Sequence, residues 1–209
     1  MASIFTPAIE KYLSDVVPAR DPVLADMEAY AKKHDVPIIG PECGRLLYLL
    51  TQISGAKRIF EMGSAIGYSA VWFARAAGPG AEIYFTDGDP KNADLAHENF
   101  KKAGIAEQVR ILTGDAVDLL DTVTGDFDII MIDVFKHHYP EALKKSIPRL
   151  KHGGLVITDN VLWSGKVTEA PKDDATRGVL EFNKMVYESK ILFPVIVPLR
   201  DGVAVCRKV

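Results

Sequence analysis

Five short apolar runs constrain the fold more than anything else in the chain: residues 59–62, 82–86, 109–112, 127–132 and 154–158. Each is too short for a helix, and each leads through a turn or loop into a segment with helical spacing. Those segments lie at 67–77, at 90–103, through Val117, Leu119 and Leu120, at 138–150 and at 174–189. Strand, turn and helix in repeated alternation predict a parallel sheet with right-handed crossovers. The run Phe127-Asp128-Ile129-Ile130-Met131-Ile132 is nearly all apolar, as a strand covered on both faces should be. The chain closes with extended residues 192–199 and 202–209 around Arg200-Asp201-Gly202, a hairpin signal. The expected fold is α/β: a doubly wound, Rossmann-like sheet, mostly parallel, with one antiparallel C-terminal strand.

Three extra helices are expected before the first strand. Thr6-Pro7 opens one over 5–16, with Ile9, Tyr12, Leu13 and Val16 on one face. Asp21-Pro22 opens the second, with Val23, Leu24, Met27 and Tyr30 as its apolar set. Residues 37–41 read as extended. The third helix carries Leu46, Leu47, Leu49, Leu50 and Ile53 and is ended by Ser54-Gly55. Residues 1–55 are expected to cap the sheet edge or form a dimer surface. A chain of 209 residues, 48% apolar, can fill one core, so 1–209 reads as a single domain.

In open sheets of this kind, ligands bind over the carboxyl ends of the strands. All five predicted strands end in or near an acid: Glu61, Asp87, Asp115, Asp133 and Asp159. One such acid is readily a helix cap. Five on one rim point to a ligand site.

The first turn, Glu61-Met62-Gly63-Ser64-Ala65-Ile66-Gly67-Tyr68-Ser69, departs twice from the dinucleotide pattern G-x-G-x-x-G. Glu61 takes the place of the first glycine, and three residues separate Gly63 from Gly67. The glycines still let backbone approach a ligand closely. An acid at the strand end would repel a pyrophosphate and suits a nucleoside carrying positive charge. Asp87, followed by Gly88, ends the second strand 24 residues after Gly63, where an acid accepts hydrogen bonds from a ribose diol. Gly114-Asp115-Ala116 would flank the base, with Asp115 equally readable as an N-cap.

Asp133 and Asp159-Asn160 bring three oxygen donors from adjacent strands. Such ligands suit Mg²⁺, or Ca²⁺ or Mn²⁺, and no His or Cys stands beside them to favour zinc. Lys136 lies three residues past Asp133. A nearby cation would favour its neutral amine and make it a candidate general base; the alternative is a solvated loop lysine. His137 and His138 read as surface residues at a helix start. Tyr68, Phe135 and Trp163 could wall an aromatic slot or simply pack in the core.

The net charge of −3 and pI near 6.0, without a basic stripe, argue against a nucleic-acid partner. Cys43 and Cys206 form no CxxC pair, which argues against a disulfide framework and fits a cytoplasmic location. The first ten residues lack the features of a signal peptide, and no apolar run approaches the roughly 18 residues of a membrane span.

These motifs together resemble the cation-dependent class I methyltransferases that use S-adenosylmethionine, in particular the catechol and caffeoyl-CoA O-methyltransferase group. The matching residues are Glu61-x-Gly63-x-x-x-Gly67-Tyr68-Ser69, Asp87, Gly114-Asp115-Ala116, Asp133-x-x-Lys136-x-x-Tyr139 and Asp159-Asn160-Val161. Arg177-x-x-x-x-Phe182-Asn183 and Asp201-Gly202…Cys206-Arg207 extend the likeness. The resemblance implies that Glu61, Gly63, Ser64, Gly67, Tyr68, Ser69, Asp87, Gly88, Asp115, Ala116 and Asp133 line the S-adenosylmethionine site. It implies metal binding by Asp133, Asp159 and Asn160, a base at Lys136, a small phenolic acceptor and a homodimer. One departure is visible: the family often has a second acid soon after its first metal aspartate, and here Val134-Phe135 intervenes. The catechol enzymes also hold a substrate hydroxyl with a carboxylate near the C-terminus, for which Asp201 is the candidate. Two rivals are an NAD-dependent oxidoreductase, disfavoured by the glycine pattern, and a non-catalytic nucleoside-binding or dimerisation module.

Overall fold

The computed structural model describes residues 5–209; residues 1–4, the start of the predicted cap, lie outside the described residues. Three helices come first: α1 (Pro7–Asp15), α2 (Pro22–His34) and α3 (Gly40–Ser54). The alternation follows as β1 (Arg58–Met62), α4 (Tyr68–Ala77), β2 (Glu82–Asp87), α5 (Pro90–Ala103), β3 (Val109–Thr113), α6 (Ala116–Thr122) and β4 (Phe127–Ile132). It ends with α7 (Tyr139–Arg149), β5 (Leu150–Thr158), α8 (Asp174–Glu188), β6 (Leu192–Val197) and β7 (Val203–Lys208).

The seven strands run in the order β3-β2-β1-β4-β5-β7-β6. All pairs from β3 to β5 are parallel, while β7 pairs antiparallel with both β5 and β6. Only β7 therefore runs against the rest, as expected. It does so by inserting between β5 and β6, which brings the turn before it beside the end of β5.

Strand alternation splits the core in two. Ile59, Ile83, Phe85, Ile129, Met131 and Ile157 face α4 and α5; Phe60, Met62, Ile130, Ile132 and Val156 face α7 and α8. The sheet is thus covered on both faces, which explains the apolar run in β4. Glu61 sits one position from Phe60 and so shares the face of Ile59.

Of the two roles expected for the N-terminal helices, covering a sheet edge is not the one seen: α1 packs on α3, α2 packs on α4 and α5, and α3 packs on α4. Gly44 makes this possible, since a Cβ there would meet the Trp72 indole at 2.2 Å. Asp21 pairs with Arg75, and Arg20 pairs with Glu28, which accepts from the Tyr68 hydroxyl at 2.7 Å. In α1, the face of Ile9, Tyr12 and Val16 is exposed, and the helix buries no residue. In α3, Leu47 is buried but Leu49 and Ile53 are exposed. Residues 40 and 41 join α3 rather than an extended link, because Pro41 fits the first helical turn.

Candidate active site

The turn after β1 is built from β2. The Thr86 hydroxyl donates to the Glu61 carbonyl at 2.6 Å and accepts from the Gly63 N–H at 3.2 Å. The Ser64 N–H donates to the Thr86 carbonyl at 3.0 Å. Gly63 has φ +81°, and a Cβ there would stand 2.4 Å from the Asp133 carbonyl oxygen. This glycine is therefore required twice, for its left-handed backbone and for the close approach of the strand ends of β1 and β4. Gly67 is likewise left-handed, at φ +83°, and a Cβ there would meet the Phe100 ring of α5 at 2.5 Å.

Glu61 is fully buried, and neither carboxyl oxygen has a hydrogen-bond partner. Burial pushes its pKa up to about 7; the Ser69 and Ser64 hydroxyls oppose the shift without completing good hydrogen bonds, and the charges of Asp133 and Asp87 add to it. A buried carboxylate with nothing to bind is costly unless a ligand supplies the donor. That fits a cationic nucleoside seated on this turn.

Asp87 is already engaged. Its Oδ2 accepts from the Ala65 N–H at 3.0 Å, and its Oδ1 accepts from the Asp89 N–H at 2.8 Å and from Asn92 at 3.0 Å. Asp87 thus pins the glycine turn to β2 and keeps spare acceptor capacity on Oδ2 only. The Gly114 N–H donates to the Asp87 carbonyl at 3.0 Å, which places Gly114-Asp115-Ala116 beside Gly88 on the rim. Asp115 caps α6, accepting from the Val117 and Asp118 N–H groups at 2.9 and 3.2 Å, so the capping alternative holds for its side chain. Ser64 and Ser69 are buried in the turn beside Glu61. Tyr68 is committed to Glu28 and packs edge-on to Trp72, so it walls no open slot.

The other half of the rim gathers Asp133, Lys136, Asp159 and Asn160. The Asp133 N–H donates to the Met62 carbonyl at 2.8 Å, which fixes Asp133 beside the glycine turn. Lys136 Nζ donates to Asp133 Oδ1 at 3.0 Å. It also sits 4.9 Å from the Tyr139 ring and 5.7 Å from the Trp163 ring. With its side chain 11% exposed, Lys136 is held in an aromatic cage and is not a solvated loop lysine. Trp163 thus faces this site, whereas Phe135 is 77% exposed and stacks on His137.

Asp159 is buried, and its Oδ1 has no partner. Burial, then the charge of Asp133, raises its pKa. Asn160 follows with φ 56°, a left-handed backbone that asparagine tolerates. Among the described residues no three His, Cys, Asp or Glu side chains converge as a metal cluster; the oxygens here are two carboxylates and one amide. A buried carboxylate with one unpartnered oxygen beside a second carboxylate is the chemistry that a hard divalent cation satisfies, so the donor set fits such an ion.

Two residues, Thr86 and Tyr139, had no role assigned from the sequence, and a third, Asp201, was the candidate only for holding the acceptor. Thr86 builds the glycine turn, and its signal is a hydroxyl in an apolar strand end. Tyr139 donates to the Asp159 carbonyl at 2.8 Å, and burial and nearby acids keep its phenol protonated, with its pKa well above the ordinary value. Its signal is the three-residue step from Lys136. Asp201 is 4% exposed; Oδ1 accepts from the Ser164 N–H at 2.5 Å, while Oδ2 is buried without a partner. Burial raises its pKa, opposed by its bond from Ser164 and by the charge of Lys136.

Comparison with known proteins agrees with this geometry. A family model described as O-methyltransferase matches residues 17–209. A catechol O-methyltransferase of Niastella koreensis is 34% identical over 209 residues, covering 94% of this chain and 95% of that one. A caffeoyl-CoA O-methyltransferase of Eucalyptus gunnii is 29% identical, covering 97% of this chain and 88% of its own. The crystal structure of an O-methyltransferase from Bacillus cereus in complex with SAH superposes with a TM-score of 0.88 at 27% identity, covering 97% of each chain.

Proposed function

This chain belongs to the S-adenosylmethionine-dependent O-methyltransferases, and from that premise we propose that it methylates one hydroxyl of a catechol-like phenol with a divalent cation at the rim. The acceptor class follows the names of its relatives, a small catechol or a caffeoyl ester, and a flavonoid is a further phenol of the same kind. The observation that carries the reading is the pairing on one rim of Glu61, with both carboxyl oxygens unpartnered, and Asp159, with Oδ1 unpartnered, alongside the caged Lys136 between Asp133 and Trp163.

In this reading Asp133, Asp159 and Asn160 hold Mg²⁺ or a similar cation. A bound Mg²⁺ would supply Lewis-acid stabilisation of the ionised phenol. Glu61, Gly63, Ser69, Asp87 and Ala116 seat S-adenosylmethionine, Asp87 through its one spare lone pair. Lys136 Nζ, as the neutral amine, takes the proton of the acceptor hydroxyl and becomes the ammonium that Asp133 faces. Trp163 and Tyr139 keep that nitrogen at the rim and shield it from water. The phenolic oxygen then takes the methyl group, and S-adenosylhomocysteine leaves. Holding both reactants on one rim contributes much of the acceleration.

We further propose a homodimer. Ile9, Tyr12 and Val16 on α1 and Tyr48, Leu49 and Ile53 on α3 present exposed apolar side chains that a second copy would cover. A cytoplasmic location remains part of the reading, in which Cys43 and Cys206 stay reduced; both are free and buried. Among the described residues no helix is long and apolar enough to cross a membrane.

The test is a methyl-transfer screen over catechols, caffeoyl esters and flavonoids, with Mg²⁺ and with EDTA. Transfer to a vicinal diol only when Mg²⁺ is present supports the reading. Transfer undiminished by EDTA, or none to any diol, contradicts it.

A further inference from the structure

The segment 160–164, which carries Asn160 and Trp163, has an unusual backbone. Asn160, Trp163 and Ser164 have φ of 56°, 48° and 55°. Asparagine visits this region readily, but a bulky tryptophan rarely does. Such a conformation persists only where surrounding structure imposes it.

The turn between β6 and β7 imposes it. The Val161 N–H donates to the Gly202 carbonyl at 3.0 Å, and the Leu162 N–H donates to the Asp201 carbonyl at 2.9 Å. The Ser164 N–H donates to Asp201 Oδ1 at 2.5 Å. Gly202, at φ +83°, lies so close to Leu162 that a Cβ would stand 2.4 Å from its Cγ. On its other side the turn is anchored, because the Arg200 guanidinium donates to the carbonyls of Ile38 and Ile39 before α3.

We propose that this turn is a clasp and that Asp201 is a positioning residue, fixing Asn160 at the cation site and Trp163 over Lys136. The proposal rests on the cation reading given above. It assigns Asp201 a role separate from holding the acceptor: Oδ1 fastens the far end of the segment at Ser164. Acting through that segment, Asp201 touches neither reactant. Outer partners that orient metal ligands typically carry about 10–100-fold of the affinity or activity.

The test compares D201A with D201N by amide hydrogen exchange, by Mn²⁺ titration and by calorimetric titration with S-adenosylhomocysteine. D201A should speed exchange at Ser164, raise the Mn²⁺ needed for half-saturation by about 10–100-fold and leave S-adenosylhomocysteine affinity unchanged. The amide oxygen of Asn accepts the same N–H, so D201N should restore exchange protection and Mn²⁺ affinity. Wild-type exchange at Ser164 in D201A overturns the clasp. D201N as impaired as D201A also overturns it, because the lost property would then be the charge. Should wild-type protein bind no Mn²⁺ at all, the cation reading fails while the exchange comparison still decides the clasp.

Discussion

The two halves of the rim are built in opposite ways. On the β1–β2 side the acids mostly serve the protein's own backbone: Asp87 accepts from three donors and Asp115 caps α6. Only Glu61 is left without a partner there. On the β4–β5 side the acids are spare or paired with Lys136, and the backbone is held from elsewhere in the chain. The first half is a rigid seat assembled from neighbouring residues. The second is a set of underused charges, which the proposed cation and acceptor would complete. The halves meet where Gly63 lies against the Asp133 carbonyl, so the proposed chemistry and cofactor binding would stand in contact yet rest on separate supports.

Separate supports mean that damage to one half should spare the other. Lys136→Ala tests this most strongly. Cofactor binding should persist while the methyl-transfer rate falls by about 10²–10⁴, the usual loss for a general base. Part of the rate should return at high pH, where the phenol ionises unaided. A pH–rate profile parallel to that of wild type would remove Lys136 from the mechanism.

Glu61→Gln should damage the other half and stabilise the unliganded fold. The folded pKa of Glu61, about 7, exceeds the ordinary 4.5, so the folded state binds more protons between those values. Wild-type stability relative to Glu61→Gln should therefore fall as pH rises from about 4.5 to about 7, then level off about 3 kcal/mol below its low-pH value. Thermal melts across that range check the sign, and parallel curves for the two proteins would contradict it. S-adenosylhomocysteine affinity should drop in the same variant.

Asp87→Ala should have the smallest effect. Losing hydrogen bonds to a charged group should cost about 1.5–3 kcal/mol, shared between the glycine turn and the cofactor. A melt together with a cofactor titration apportions it. A full-sized loss of affinity at unchanged stability would mean that Asp87 serves the ribose alone.

The same division explains what the sequence disclosed. Glu61, Gly63 and Asp87 were legible because a strand end, a glycine turn and the next strand end form a local pattern with a chemical meaning. The five alternations were legible for the same reason, and β4 and α5 match their expected ranges. The environment of Lys136 was not, since one of its cage walls, Trp163, lies on the loop after the next strand. Nor was the place of Asp201 legible: the hairpin pattern marks its turn, but only the insertion of β7 between β5 and β6 brings that turn to Ser164. Periodicity placed Ile9, Tyr12 and Val16 on one face of α1, yet periodicity names a face and not what covers it; here that face is exposed.

The division itself is tested most directly by calorimetry on wild type and Asp159→Ala, each titrated with Mn²⁺ and with S-adenosylhomocysteine. Asp159→Ala removes a carboxylate whose Oδ1 has no partner and whose tie to the fold is a bond from the adjacent Asn160 backbone, so the protein should remain folded. Wild type should bind both ligands, and the variant should bind S-adenosylhomocysteine with wild-type affinity and no longer bind Mn²⁺. Retained Mn²⁺ binding in Asp159→Ala, or joint loss of both ligands from a folded variant, would contradict a rim divided into a cofactor seat and a cation site.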